Sequence, residues 1–201
     1  MNIALFGGSF DPPHLAHQKI AEEMIEQKLA DQVWYVPLQN HPFLKNLSPA
    51  ADRVAMLEII VQNIQQKFGA PAARLEHFEL NRSTPSYSFV TLETLSQQYQ
   101  QHTFSWVIGS DNVADFPKWY HAQDILDTYQ VYVYPRRSPS VPTQQQLIPG
   151  MIQIKNVPEI EITSTDLRQK IATGQPDQLA QAAQYLDKKV FDYIRTHHLY
   201  I

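Results

Sequence analysis

Short apolar runs alternate along the chain with longer stretches in which apolar residues recur every three or four positions. Residues 2–6, 33–37, 104–108 and 131–134 are apolar runs of strand length, 74–80 alternates as a strand does, and 152–154 suits a last short strand. Between them, Ile20, Ala21, Met24, Ile25 and Leu29 share one helical face. Val54, Leu57, Ile60, Val61 and Ile64 share another, behind Ser48 as N-cap with Pro49 at the first helical position. Phe89, Val90, Leu92 and Leu95 mark a third helix capped by Ser86 or Ser88, and 179–194 reads as one closing amphipathic helix. The proline-bearing stretches 38–47 and 135–149 read as a loop and an exposed excursion. This order predicts an α/β fold, a Rossmann-like three-layer sandwich with a mostly parallel sheet covered on both faces. Such sheets bind ligands beyond the carboxyl ends of their strands. The turns after Phe6, Pro37, Leu80, Ile108 and Tyr134 are therefore expected to converge on one crevice.

Composition narrows the function more than the fold. With 201 residues, 43% hydrophobic and 18% charged, a single domain over 1–201 with a substantial core is the expectation. A formal charge of −4 offers no general attraction for nucleic acid, so an anion site has to be local. The chain has no cysteine, which excludes disulfides, thiolate metal sites and a cysteine nucleophile. No membrane partner is indicated, since neither a signal-like start nor an apolar run of about 18 residues occurs. A soluble cytoplasmic protein is the expectation, and the sequence leaves monomer or homo-oligomer open.

The chemistry concentrates where the first strand meets the first helix, in Gly7-Gly8-Ser9-Phe10-Asp11-Pro12-Pro13-His14-Leu15-Ala16-His17. Glycines permit close approach of a ligand to the backbone, and a helix start supplies unpaired N–H groups and a positive partial charge. His14 and His17 stand three apart on one face of the first turn. The run is a phosphate-binding turn of neither the dinucleotide Gly-x-Gly-x-x-Gly type nor the Walker type. Two histidines so spaced also suit a metal pair, for which Asp11 is the one nearby third ligand.

This stretch resembles the signature of the nucleotidyltransferase superfamily with the histidine-x-glycine-histidine motif. Its Gly-Gly-Ser-Phe-Asp-Pro form is similar to that of the bacterial nicotinate-nucleotide adenylyltransferases. Ala16 stands where the family has glycine. Ile162-Thr163-Ser164-Thr165-Asp166-Leu167-Arg168 resembles the family's second motif, with Thr163 in a serine position and Leu167 in the isoleucine position. Together they imply ATP binding by Gly7, Gly8, Ser9, Phe10, His14, His17, Ser164, Thr165 and Arg168, with His14, His17 and Arg168 catalytic. A pyridine mononucleotide would be met by Lys45, Tyr87, Ser88, Asp111 and Trp119, Asp111 receiving a ribose hydroxyl and Trp119 stacking on the ring.

The loop carrying His41 and Lys45 matches the family's proline, histidine and lysine motif imperfectly, so Lys45 is either a ligand for a mobile phosphate or a solvated cation. Arg136 and Arg137 follow the fifth strand either facing the crevice or in solvent. The ending from Tyr193 to Tyr200 reads as structural. The resemblance spans about residues 2–200 and implies adenylyl transfer from ATP to nicotinate mononucleotide, with Mg²⁺ held mainly by ATP oxygens and no metal site of the protein's own. Nicotinamide mononucleotide is the alternative acceptor, and a catalytically silent nucleotide sensor is the alternative class.

Overall fold

The computed structural model describes residues 1–39, 47–82, 85–136, 146–157 and 162–201. Six strands run in one parallel sheet: β1 (Asn2–Gly8), β2 (Gln32–Pro37), β3 (Ala73–Leu75), β4 (Thr103–Gly109), β5 (Gln130–Tyr134) and β6 (Met151–Gln153). Their order is β3-β2-β1-β4-β5-β6, the doubly wound arrangement expected from the strand and helix alternation. The winding reverses between β1 and β4, where such sheets open a crevice.

Alternate side chains go to opposite faces of the sheet, and both faces are covered. Ala4 and Phe6 of β1, with Tyr35 of β2, pack beneath five helices: α1 (Leu15–Glu26), α2 (Ala50–Phe68), α5 (Ser164–Ala172), α6 (Pro176–Ala183) and α7 (Lys188–Thr196). Ile3 and Leu5, with Trp34 and Trp106, pack beneath α3 (Ser88–Gln98) and α4 (Ala122–Thr128). Sheets covered on both faces need near-continuous apolar strands, and β2 is buried along its whole length.

Four local expectations are corrected. The strand expected over 74–80 ends at Leu75, and Glu79–Asn81 forms a 3-10 turn that carries the chain toward the crevice. The helix from Ser48 begins at Ala50 with Pro49 as N-cap, and Val54 lies only half-buried while Arg53 is buried. Neither Ser86 nor Ser88 caps α3, whose N-cap is Tyr87 without a side-chain bond. The single helix over 179–194 is two: α6 stops at Ala183, and Asp187 caps α7 by accepting from the Lys189 N–H at 2.7 Å. The intervening Tyr185 carbonyl accepts from the Leu15 N–H at 2.8 Å, so the break serves the start of α1.

Candidate active site

A cleft of about 640 Å³ opens at the carboxyl ends of the strands, within the range of small-ligand sites. The turns after β1, β2, β4 and β5 border it, and the Glu79–Ser88 span supplies the side next to β3. Gly7, Gly8, Ser9, Phe10 and His17 line one part, with Ser164, Thr165 and Arg168 also on the wall. Tyr87, Ser88, Asp111 and Trp119 line the cleft as well, joined by Trp106, Lys118, Tyr120 and Arg136. Lys45, His41 and Arg137 lie outside the described residues.

The glycine turn is shaped by packing as much as by ligand access. A Cβ on Gly7 would come within 2.6 Å of the Trp106 ring on the neighbouring strand, and one on Gly8 within 3.1 Å of the Phe10 ring. Phe10 adopts a left-handed backbone (φ 49), costly for a bulky residue by roughly 1–3 kcal/mol. Its ring is held edge-on by Phe6, Tyr35 and His17, with centroids 5.6, 5.5 and 5.1 Å away.

His14 is the N-cap of α1 and His17 its third residue, their rings in contact with centroids 3.7 Å apart and planes tilted by 30°. His17 Nδ1 accepts from the His14 main-chain N–H at 3.1 Å, so the neutral ring of His17 carries its proton on Nε2. His14 is only 3% exposed, does not itself line the cleft, and has no partner for either ring nitrogen among the described residues. Burial, reinforced by the Arg136 charge, lowers its pKa from 6.5 to about 3. Burial, His14 and Arg136 together lower that of His17 well below the usual value. Both rings are therefore neutral near pH 7 in the free protein.

The backbone donors expected at the start of α1 are partly spent. His14 N–H goes to His17, Leu15 N–H to Tyr185 O, and His17 N–H to His14 O at 2.9 Å. Gly7, Gly8, Ser9 and the His17 ring border the cleft on this side. The start of α5 is freer: Thr163 caps Asp166 N–H at 3.1 Å, Asp166 returns the bond to Thr163 N–H at 2.8 Å, and Ser164 and Thr165 keep first-turn N–H groups beside the cleft.

The two helix starts meet directly. Ser164 Oγ donates to Pro12 O at 2.9 Å, and Arg168 Nη1 donates to Asp11 O at 2.6 Å. This brings together the ends near residues 15 and 165 that the sequence pairs around one anion. Elsewhere on the wall, Arg136 faces the crevice and meets Asp111 at 3.4 Å, which decides the alternative left open for it. Trp119 both packs on Phe116, centroids 5.0 Å apart, and borders the cleft. Glu79, 4% exposed, accepts from Thr91 Oγ1 at 2.6 Å, and burial raises its pKa.

Sequence reasoning missed Arg53, which is 1% exposed on α2. It donates to Ser9 O at 2.8 Å, Leu38 O at 2.9 Å and Ser48 O at 3.0 Å. It thus ties the glycine turn to the residues flanking the 39–47 segment. An arginine inside an otherwise apolar helix face was the available signal.

A doubly wound sheet whose switch point gathers a glycine turn, a histidine pair and a second helix start with its arginine defines a nucleotide-binding α/β protein. Comparison with known proteins agrees and is more specific. The family model described as cytidylyltransferase-like matches residues 5–170. The nicotinate-nucleotide adenylyltransferase of Bacillus subtilis is 32% identical over 201 residues, covering 98% of this chain and 97% of that one. A protein of Oceanobacillus iheyensis named as a probable nicotinate-nucleotide adenylyltransferase is 31% identical, covering 98% and 96%. The structure of Plasmodium falciparum nicotinic acid mononucleotide adenylyltransferase complexed with NaAD shares the fold, with a TM-score of 0.79 at 22% identity over 99% of this chain and 97% of that one. The chain belongs to the nicotinate-nucleotide adenylyltransferase family within the cytidylyltransferase-like proteins.

Proposed function

We propose that this chain joins ATP and nicotinate mononucleotide into nicotinate adenine dinucleotide with release of pyrophosphate, a step of NAD biosynthesis. The observation that carries the reading is the direct junction of the α1 and α5 starts, through Ser164 with Pro12 and Arg168 with Asp11. It creates one anion-binding corner from both family motifs. Family membership at 31–32% identity over nearly the whole chain supports the acceptor.

The mononucleotide 5′-phosphate attacks the α-phosphorus of ATP in line, and the bond to the departing pyrophosphate breaks. No protein nucleophile takes part. The chain's work is to hold two anions together and to stabilise charge on the phosphoryl oxygens. The His17 Nε2–H and the Arg168 guanidinium act on the triphosphate, the glycine turn offers backbone N–H groups, and the adjoining His14 ring supports that of His17. Asp111 receives a ribose hydroxyl, and Tyr87, Ser88 and Trp119 meet the pyridine ring and its carboxylate, with Lys45 completing the mononucleotide set.

Among the described residues no cluster of three His, Asp or Glu side chains is placed to hold a metal ion. Mg²⁺ would be carried mainly by ATP oxygens, supplying charge neutralisation on the phosphates. No helix among the described residues is long and apolar enough to cross a membrane. The reading carries with it a cytoplasmic setting, since both substrates are phosphate anions that do not cross a bilayer unaided.

Pyrophosphate release with ATP and each pyridine mononucleotide tests this reading. Nicotinate mononucleotide is expected to give much the higher kcat/KM; equal efficiencies with nicotinamide mononucleotide would refute the preference. Absence of release with either would refute the transfer. His17→Ala, retaining its fold, is expected to lower kcat by about two to three orders of magnitude.

A further inference from the structure

Asp11 belongs to the first motif but points away from solvent. It is 1% exposed, and among the described residues its carboxylate is held by two neutral donors. The Tyr200 hydroxyl donates to Oδ1 at 2.7 Å, and the Ser48 main-chain N–H donates to Oδ2 at 3.1 Å. Two cations flank it, attracted by its charge but giving their hydrogen bonds elsewhere. Arg53 gives its donors to three carbonyls. Arg168 Nη1 stands 4.0 Å from Oδ2, beyond hydrogen-bond reach, and donates instead to the Asp11 carbonyl.

A buried carboxylate short of donors draws a nearby guanidinium into a close, often bidentate pair. Resting on the adenylyl-transfer reading, we propose that Tyr200 is a positioning residue: its hydroxyl satisfies Asp11 and so leaves the Arg168 guanidinium on the cleft wall for the triphosphate. Arg168 is then steadied by a neutral carbonyl and by Thr165 Oγ1 at 3.2 Å, and its ion pair with Asp11 stays long, at 4.0 Å.

Two further features fit this role. The Tyr200 hydroxyl stays protonated, because burial and the adjacent Asp11 push its pKa far up, so it remains a donor throughout the working pH range. The tail also accepts left-handed backbone at His198 (φ 51) and Tyr200 (φ 67). Such backbone is unfavourable for residues other than glycine and persists only where surrounding contacts hold it. Leu199 N–H bonds to Ile194 O at 3.0 Å, and Leu199 and Tyr200 pack against the main core.

The test varies ATP and nicotinate mononucleotide separately in pyrophosphate-release assays on the full chain. Tyr200→Phe is expected to raise the ATP KM about tenfold while the mononucleotide KM stays within about twofold. In an Arg168→Ala background the same change is expected to add less than about twofold, because its effect passes through that arginine. An ATP KM unchanged in Y200F, both KM values rising together, kcat falling alone, or an equal effect in the R168A background would each overturn the proposal. Where turnover is too low or folding is weakened, the ATP-dependent shift in Tm of the folded fraction gives the same comparison in both backgrounds. An inactive parent chain would remove the adenylyl-transfer reading itself; an active parent with an unaltered Y200F variant removes only the role of Tyr200.

Discussion

Replacing Arg53 by Met keeps most of its aliphatic volume on α2 and removes the guanidinium that joins three main-chain carbonyls. Those carbonyls belong to Ser9, Leu38 and Ser48, at 2.8, 2.9 and 3.0 Å. A buried acceptor left unpaired costs about 1–3 kcal/mol, and recovering the desolvation cost of the buried cation offsets part of that. Taking the low end for each carbonyl gives about 3 kcal/mol lost. For a chain of 201 residues this corresponds to a fall in Tm of about 6–12 °C. Calorimetry or circular dichroism melts of parent and Arg53→Met measure it directly, and Arg53→Lys, with one compact ammonium in place of the fork, is expected to fall in between. A Met variant melting within about 2 °C of the parent would refute the reasoning, since no buried cation joining three strands of backbone could then be contributing.

Two further outcomes follow from the same geometry. His14 has its folded pKa lowered from 6.5 to about 3, so over that interval the unfolded chain binds the extra proton. Its contribution therefore erodes as pH falls below about 6.5, at up to about 1.4 kcal/mol per pH unit. Melts of parent and His14→Gln between pH 7 and 4.5 are expected to show a shallower acid-side slope in the variant, and equal slopes would place the titration elsewhere. Gly7→Ala sets a Cβ 2.6 Å from Trp106 and is expected to cost about 1–3 kcal/mol by overpacking. Urea unfolding should show that Trp106→Phe, which removes the crowding atoms, relieves much of that loss.

The architecture was legible because the strands are apolar runs and the helices carry clear faces, so a mostly parallel sheet with a crevice at its carboxyl end follows from pattern, while the strand order is seen only in the structure. The two helix starts of the candidate site were legible for a different reason: each lies in a contiguous motif that resembles the family's. What pattern could not reveal was long-range pairing. Arg53 looks like an interruption of an apolar face until Ser9, Leu38 and Ser48 are seen around it. The closing helix read as continuous because Leu179, Val190 and Ile194 keep their period across a break set by Asp187 and by the bond from Leu15 to Tyr185. The strand from Arg74 stops early because its later residues turn toward the cleft, where Glu79 meets Thr91.

Asp11 bonds to residues 157 and 189 positions later. The corner where α1 and α5 begin therefore takes shape only after Arg168 and Tyr200 have been made. Contacts this far apart in sequence must pay their loop-closure entropy before they return any stability, so the first motif is among the earliest segments translated and among the last to be fixed in place.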